Sequence, residues 1–258
     1  MKEFTGGRES AIYHHEEVVY RPLNPWSHTV HQLLNHYVAV GLKQCPRFIA
    51  IEDDKEVLSF VSGDTYNYPL VGAIASQNAL ISASKLLRKL HDASESFIAE
   101  YSLQSFTWMI APRPPFEVIC HGDFTPYNVA LSSDEVVGVF DFDTAHPAPR
   151  IWDLAYSIYC WAPFKTDKND QLGSLEDQIV RAKLFCDSYG ATTHHRSALV
   201  YSMIERLEAL VDFMLKQAEQ GNTQFQSHIE QGHHLAYLTD IEYLKQHQLR
   251  ITQGIRLR

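Results

Sequence analysis

Near the start of the chain, strand-forming and polar residues fall into a pattern that predicts a β-hairpin over residues 10–21. Ser10-Ala11-Ile12-Tyr13-His14 and Val18-Val19-Tyr20-Arg21 are rich in strand formers, and His15-Glu16-Glu17 makes the turn. Pro22 and Pro25 stop the sheet. Val30, Leu33, Leu34, Tyr37 and Val38 then recur with a 3.6-residue period, which predicts a helix capped by Ser27 and ended at Gly41. Two further strands are expected over 47–52 and 56–60, around a turn at Asp53-Asp54. Gly63 to Pro69 reads as a connection out of this β-rich part. Beyond it the periodicity is mostly helical, over 74–100 (Ile81, Leu86, Leu87, Leu90), 151–159, 175–189, 196–220 and 224–247. The exception is a short β region. Phe116 to Cys120 leads into it, and 128–131 and 136–140 form a hairpin around Ser132-Ser133-Asp134.

Composition excludes several classes. A chain of 258 residues can bury a large core as one domain or two lobes. A formal charge of −9 argues against general nucleic-acid binding, which needs a basic surface. The first residues lack the apolar run of a signal peptide, and no apolar run approaches the ~20 residues that span a bilayer. Cys45, Cys120, Cys160 and Cys186 are far apart and form no CxxC pair, so reduced, buried thiols of a cytoplasmic protein are expected. There is no signal for a membrane partner, and none for an oligomeric state.

The strongest chemical signal is His121-Gly122-Asp123-Phe124-Thr125-Pro126-Tyr127-Asn128, followed by Asp141-Phe142-Asp143. A kinase needs an acid to orient a hydroxyl nucleophile, and an amide and a second acid to give hard oxygens to Mg²⁺ on ATP. Asp123 is the candidate catalytic acid/base. Asn128 and Asp141 are the candidate metal ligands. Asp143 adds a ligand, holds Asp141, or is a surface acid. His121 is expected to brace the loop, not to react.

With Val139-Phe140-Asp141-Phe142-Asp143 and Trp152-Asp153-Leu154-Ala155, these motifs make the chain resemble the aminoglycoside phosphotransferase and choline kinase-like family of small-molecule kinases. The motifs are strong only over 117–157. Gly122 stands where protein kinases carry arginine, which implies a metabolite or antibiotic substrate. Gly6-Gly7-Arg8-Glu9-Ser10-Ala11-Ile12-Tyr13 and Val19-Tyr20-Arg21-Pro22 look like a bacterial subgroup that includes phosphotransferases and trifolitoxin immunity proteins. The resemblance implies an α+β, two-lobed protein kinase-like fold. Residues 1–62 would form a small β-rich nucleotide-binding lobe, and 63–258 a larger, mainly helical lobe for catalysis and acceptor binding. It implies ATP and Mg²⁺ as cofactors and a small-molecule hydroxyl (antibiotic, amino alcohol or sugar) as acceptor. The alternative is a catalytically weak, pseudokinase-like binding or immunity protein.

Nucleotide contacts are expected at Gly6 and Gly7, whose N–H groups can approach phosphate closely, and at the Ser10 hydroxyl. Two adjacent glycines also make plain turns. Only a short strand, or none, is expected before them. Phe60-Val61-Ser62-Gly63 is the expected hinge, with Val61 offering backbone groups to adenine. Arg21 occupies the place of the usual kinase lysine, and residues 22–51 contain no Asp or Glu, so the usual ion pair with the next helix cannot form. Three readings of Arg21 stay open: a phosphate clamp, since arginine keeps its charge and can fork onto phosphate oxygens; a decayed nucleotide site; or an arginine bound to a carboxylate such as Asp141. His31 or Gln32 is expected near it. Asp153 reads as a helix cap. The pairs His194-His195 and His233-His234 cannot face one way on a helix and have no matching metal-ligand spacing. Glu205, Glu208 and Asp212 line an acceptor pocket or a solvated helix face.

Overall fold

The computed structural model describes residues 2–3 and 12–256. The chain divides into two compact units, residues 1–66 with 85–150, and residues 67–84 with 151–258. This grouping by contact falls at different places in the chain from the lobes expected on either side of residue 62.

The first unit is built on a five-stranded antiparallel sheet in the order β1-β2-β3-β5-β4. The strands are β1 (Lys2–Glu3), β2 (Tyr13–His15), β3 (Val18–Pro22), β4 (Phe48–Glu52) and β5 (Lys55–Ser59). The strand ahead of the glycines is thus two residues long and pairs with β2. Asp53 and Asp54 both take positive φ, the backbone of a tight two-residue hairpin turn. The register sets Arg21 opposite Glu56.

Helix α1 (Ser27–Ala39) buries Val30, Leu33, Leu34 and Tyr37, while Val38 is exposed. Ser27 lies inside the helix and not at its cap; its hydroxyl accepts from Asn24 N–H at 3.0 Å. His36 bonds Ala93 O at 3.1 Å and Ser96 Oγ at 2.9 Å, tying α1 to helix α2 (Gln77–Glu100), which belongs to this unit from Lys85 onward.

Two small sheets complete the unit. β6 (Val118–Cys120) pairs with β9 (His146–Ala148), and β7 (Val129–Ser132) with β8 (Glu135–Val139). Strand β9 has no signal in the sequence, being three residues long with a central proline. Ser94 Oγ receives Ile119 N–H at 2.9 Å and fixes β6 on α2.

The second unit is helical. It holds α3 (Arg150–Trp161, from Ile151), α4 (Leu175–Tyr189), α5 (Thr193–Glu219), α6 (Thr223–Glu230) and α7 (His233–Gly254). The single helix expected over 224–247 is two, because Gly232 takes φ 77° and breaks the helical path. Thr192 and His195 form a capping box at the start of α5, so this histidine serves the helix end. Asp240 of α7 accepts from Tyr159 Oη at 2.6 Å and from Thr166 N and Oγ1 at 2.7 Å each, locking the helix to the segment after α3. All four cysteines are buried and none is in a disulfide. No helix among the described residues is long and apolar enough to cross a membrane.

Candidate active site

Arg21, Val61, Asp123, Asn128, Asp141 and Asp143 all belong to the first unit. They are carried by the loop between β6 and β7, the end of β8, β3 and, for Val61, the segment after β5. Gly122 takes φ 81°, and a Cβ there would lie 2.4 Å from Thr144 O. Only glycine lets the loop turn this closely against the segment that carries Asp141 and Asp143. Thr144 returns the contact, its hydroxyl donating to His121 O at 3.0 Å.

His121 is buried and braced at both nitrogens. Nδ1 accepts from Asp123 N–H at 3.3 Å, and Nε2 donates to Phe140 O at 3.1 Å. Both ring nitrogens are engaged with backbone, as a strut requires. The ring also packs beside Phe124 and Phe142.

Asp123 is buried, and its carboxylate is oriented by two donors. Tyr127 Oη donates to Oδ1 at 3.1 Å, and Asn128 Nδ2 donates to Oδ2 at 2.9 Å and to Asp123 O at 3.0 Å. The Asn128 amide thereby spends its nitrogen on Asp123, which directs its oxygen elsewhere. Phe140 N–H donates to Asn128 O at 3.0 Å, so the backbone of the amide and the segment leading to Asp141 are held side by side. Asp141 takes φ 64°, a strained conformation for a residue with a side chain, and its carboxylate is partly exposed.

Arg21 reaches this carboxylate pair. Its NH1 lies 3.7 Å from Asp141 Oδ1, its NH2 bonds Asp143 Oδ1, and its Nε lies 2.6 Å from Glu56 Oε1. The other oxygen of Glu56 lies 2.5 Å from His31 Nε2. Arg21, Glu56 and His31 are 8, 2 and 3% exposed. The sequence reading of an arginine with no acidic partner on the next helix is correct for α1 but incomplete. The acid comes from the neighbouring strand, and α1 contributes the histidine that holds it. Glu56 was missed because nothing local marks it; only the β3–β5 register, which sets it opposite Arg21, could have found it.

Val61 follows β5 and packs against Gly138, where a Cβ would lie 2.4 Å from Val61 Cγ1. Asp64 pairs with Leu131 through backbone bonds of 2.8 and 2.9 Å, which ties this connection to the β7–β8 hairpin. Gly6, Gly7 and Ser10 lie outside the described residues. In the second unit Asp153 is buried in the first turn of α3, and Glu208 and Asp212 face solvent on α5, where Glu208 lies 3.6 Å from Lys245.

The donor set fits a divalent cation with a phosphate ligand. It offers carboxylate and amide oxygens, the ligands that Mg²⁺ takes, beside a buried guanidinium suited to phosphate. Residues 74–184 match the model of the phosphotransferase enzyme family. The chain is 30% identical over 209 residues to the trifolitoxin immunity protein of Rhizobium leguminosarum bv. trifolii, covering 78% of each sequence. The chain belongs to the aminoglycoside phosphotransferase family.

Solved structures agree on this family's kinase-like fold. A choline kinase from Cryptosporidium parvum Iowa II is similar with a TM-score of 0.63 and 12% identity, covering 98% of this chain and 90% of that one. The ADP-bound aminoglycoside phosphotransferase APH(2'')-Ib gives a TM-score of 0.54 and 12% identity, covering 99% and 94%. The α+β, protein kinase-like architecture expected from the motifs is therefore the fold of this family member.

Proposed function

We propose that the protein is an ATP- and Mg²⁺-dependent phosphotransferase of the cytoplasm. It transfers the γ-phosphate to a hydroxyl of a small molecule, such as an antibiotic, an amino alcohol or a sugar. The observation that carries this reading is the intact constellation around Asp123. Its carboxylate is held by Asn128 and Tyr127, and Asp141 and Asp143 stand against a buried arginine. Structural neighbours named as a choline kinase and as an ADP-bound aminoglycoside phosphotransferase share the fold and are consistent with this acceptor class and nucleotide.

In this reading Asp123 accepts a hydrogen bond from the acceptor hydroxyl and fixes the line of attack. Phosphoryl transfer has a loose transition state, so this alignment matters more than early proton removal. The proton passes to the Asp123 carboxylate as the new O–P bond forms, and ADP leaves as the old bond to the γ-phosphorus breaks. His121 keeps the loop backbone in place by its two bonds. Asn128, Asp141 and Asp143 would hold the cation, and Arg21 would take the phosphates. Bound Mg²⁺-ATP supplies the phosphoryl group and the charge that neutralises the phosphate oxygens. Gly6, Gly7, Ser10 and the Val61 backbone would complete the nucleotide site.

A second reading is favoured by one observation, the name of the immunity protein that shares 30% identity. Immunity by sequestration needs binding but no turnover. One experiment separates the two. Wild type and Asp123→Ala are measured for ATP binding, with Mg²⁺ and with chelator, and for consumption of γ-labelled ATP against a panel of hydroxyl compounds. The phosphotransferase reading expects Mg²⁺-dependent binding in both proteins. It also expects turnover in the wild type alone, reduced by about 10²–10⁴-fold in the variant. Equal binding with chelator, or full turnover by Asp123→Ala, would sink it.

A further inference from the structure

The guanidinium of Arg21 has three nitrogens, and each faces a different carboxylate. Nε lies 2.6 Å from Glu56 in an ion pair, NH1 lies 3.7 Å from Asp141 and NH2 bonds Asp143. The three acids are not alike. Asp141 and Asp143 belong to the segment after β8, and Asp141 is partly open to solvent. Glu56 is buried in the sheet beside Arg21 and is 2% exposed. A buried carboxylate is costly without partners, and this one has two: Arg21 Nε on one oxygen and His31 Nε2 on the other. His31 is itself fixed by stacking on Phe48 of β4 with ring centroids 3.9 Å apart.

We infer that Glu56 and His31 are positioning residues for the phosphate-binding arginine. They hold the guanidinium by an ion pair on its Nε side, and leave its two terminal amino groups to exchange the Asp141 and Asp143 carboxylates for nucleotide phosphate. This rests on the phosphotransferase reading above and deepens it. Two features of the geometry support the division of labour. The pair on Nε is set by the strand register, in which Arg21 and Glu56 are direct cross-strand neighbours, so it persists whatever the amino groups bind. The amino groups, in contrast, point at carboxylates that a divalent cation would also claim. Three carboxyl groups surround one arginine, an excess of acidic groups over basic ones in the cluster. Binding of a divalent cation offsets that excess and loosens the hold of Asp141 and Asp143 on the fork. Arginine suits this exchange because its fork is planar and permanently charged; a lysine offers one point charge and could not serve Glu56 and a phosphate through separate nitrogens.

The test is a double-mutant cycle read by binding, with adenosine as the control for the fold. ATP and adenosine affinities are measured with Mg²⁺ for wild type, Arg21→Ala, Glu56→Gln and the double variant. Arg21→Ala and Glu56→Gln are each expected to weaken ATP about ten- to a hundredfold, the range for losing charge-assisted bonds to phosphate. Adenosine should change less than about twofold. Glu56→Gln should add little to Arg21→Ala, because it acts through that residue. Full additivity of the two losses, or wild-type ATP affinity in Glu56→Gln, overturns the proposal.

Glu56 is buried, so a second pair covers the case in which Glu56→Gln does not fold. His31→Gln keeps a donor for Glu56 and should retain ATP affinity, whereas His31→Leu removes the donor and should lose it. Equal ATP affinity of these two variants also overturns the proposal. If the wild type itself does not prefer ATP to adenosine, the phosphotransferase reading fails and takes this inference with it. If it does prefer ATP and Glu56→Gln keeps that preference, only this inference fails.

Discussion

Gly122 shows how one residue decides whether the loop can form. It combines a left-handed backbone with a Cβ position 2.4 Å from a carbonyl oxygen. Gly122→Ala should cost about 1–3 kcal/mol for the backbone conformation alone, with the clash in addition. Urea unfolding midpoints of the two proteins measure it, and an unchanged midpoint would contradict the geometry. At this scale the sequence was readable where chemistry is local. Asp123 and Asn128 are five residues apart in one loop, and their offset marks both as candidates; the hydrogen bonds between them come from the structure. Arg21 was readable as a departure from lysine, but its partner was not. Glu56 is far from Arg21 in sequence, and their pairing depends on β3 lying beside β5, which no local pattern announces. Of His31 and Gln32, either of them expected near Arg21, His31 reaches the arginine through Glu56.

Elements with clear ends were legible. Helix α4 occupies the predicted residues 175–189 because Ser174 and Asp177 form a capping box at one end and Gly190 takes a left-handed φ of 78° at the other. Strand β9 and the break between α6 and α7 were not, since the first is too short to show a period and the apolar pattern runs on across the second. The α4 cap gives a pH-dependent prediction. Hydrogen bonds from the Ser174 hydroxyl and backbone N–H hold the Asp177 carboxyl below its usual range. A depressed folded-state pKa contributes stability above the unfolded value, and loses it as pH falls through the folded value. Ser174→Ala should therefore lower the melting temperature at neutral pH, with a difference that narrows as pH falls below the carboxylate range. Melting curves at a series of pH values test this, and a difference constant with pH would refute the coupling.

The whole molecule keeps its thiols out of reach. Burial pushes Cys45 and Cys186 up to about 12, so neither forms thiolate near neutral pH, and Cys120 and Cys160 are buried as well. Native protein should resist a thiol reagent at pH 8, and four thiols should react once it is unfolded; rapid reaction of the native form would contradict the burial. The place of the Arg21–Glu56 pair also bears on regulation. In protein kinases the corresponding acid rides on a helix, and activity is controlled by moving that helix toward or away from the lysine. Here both members of the pair belong to adjacent strands of one sheet, and swinging α1 would withdraw only the histidine behind them. An arginine and an acid paired across adjacent strands keep their contact whatever the position of α1, so ligand supply, and not helix movement, is the expected control.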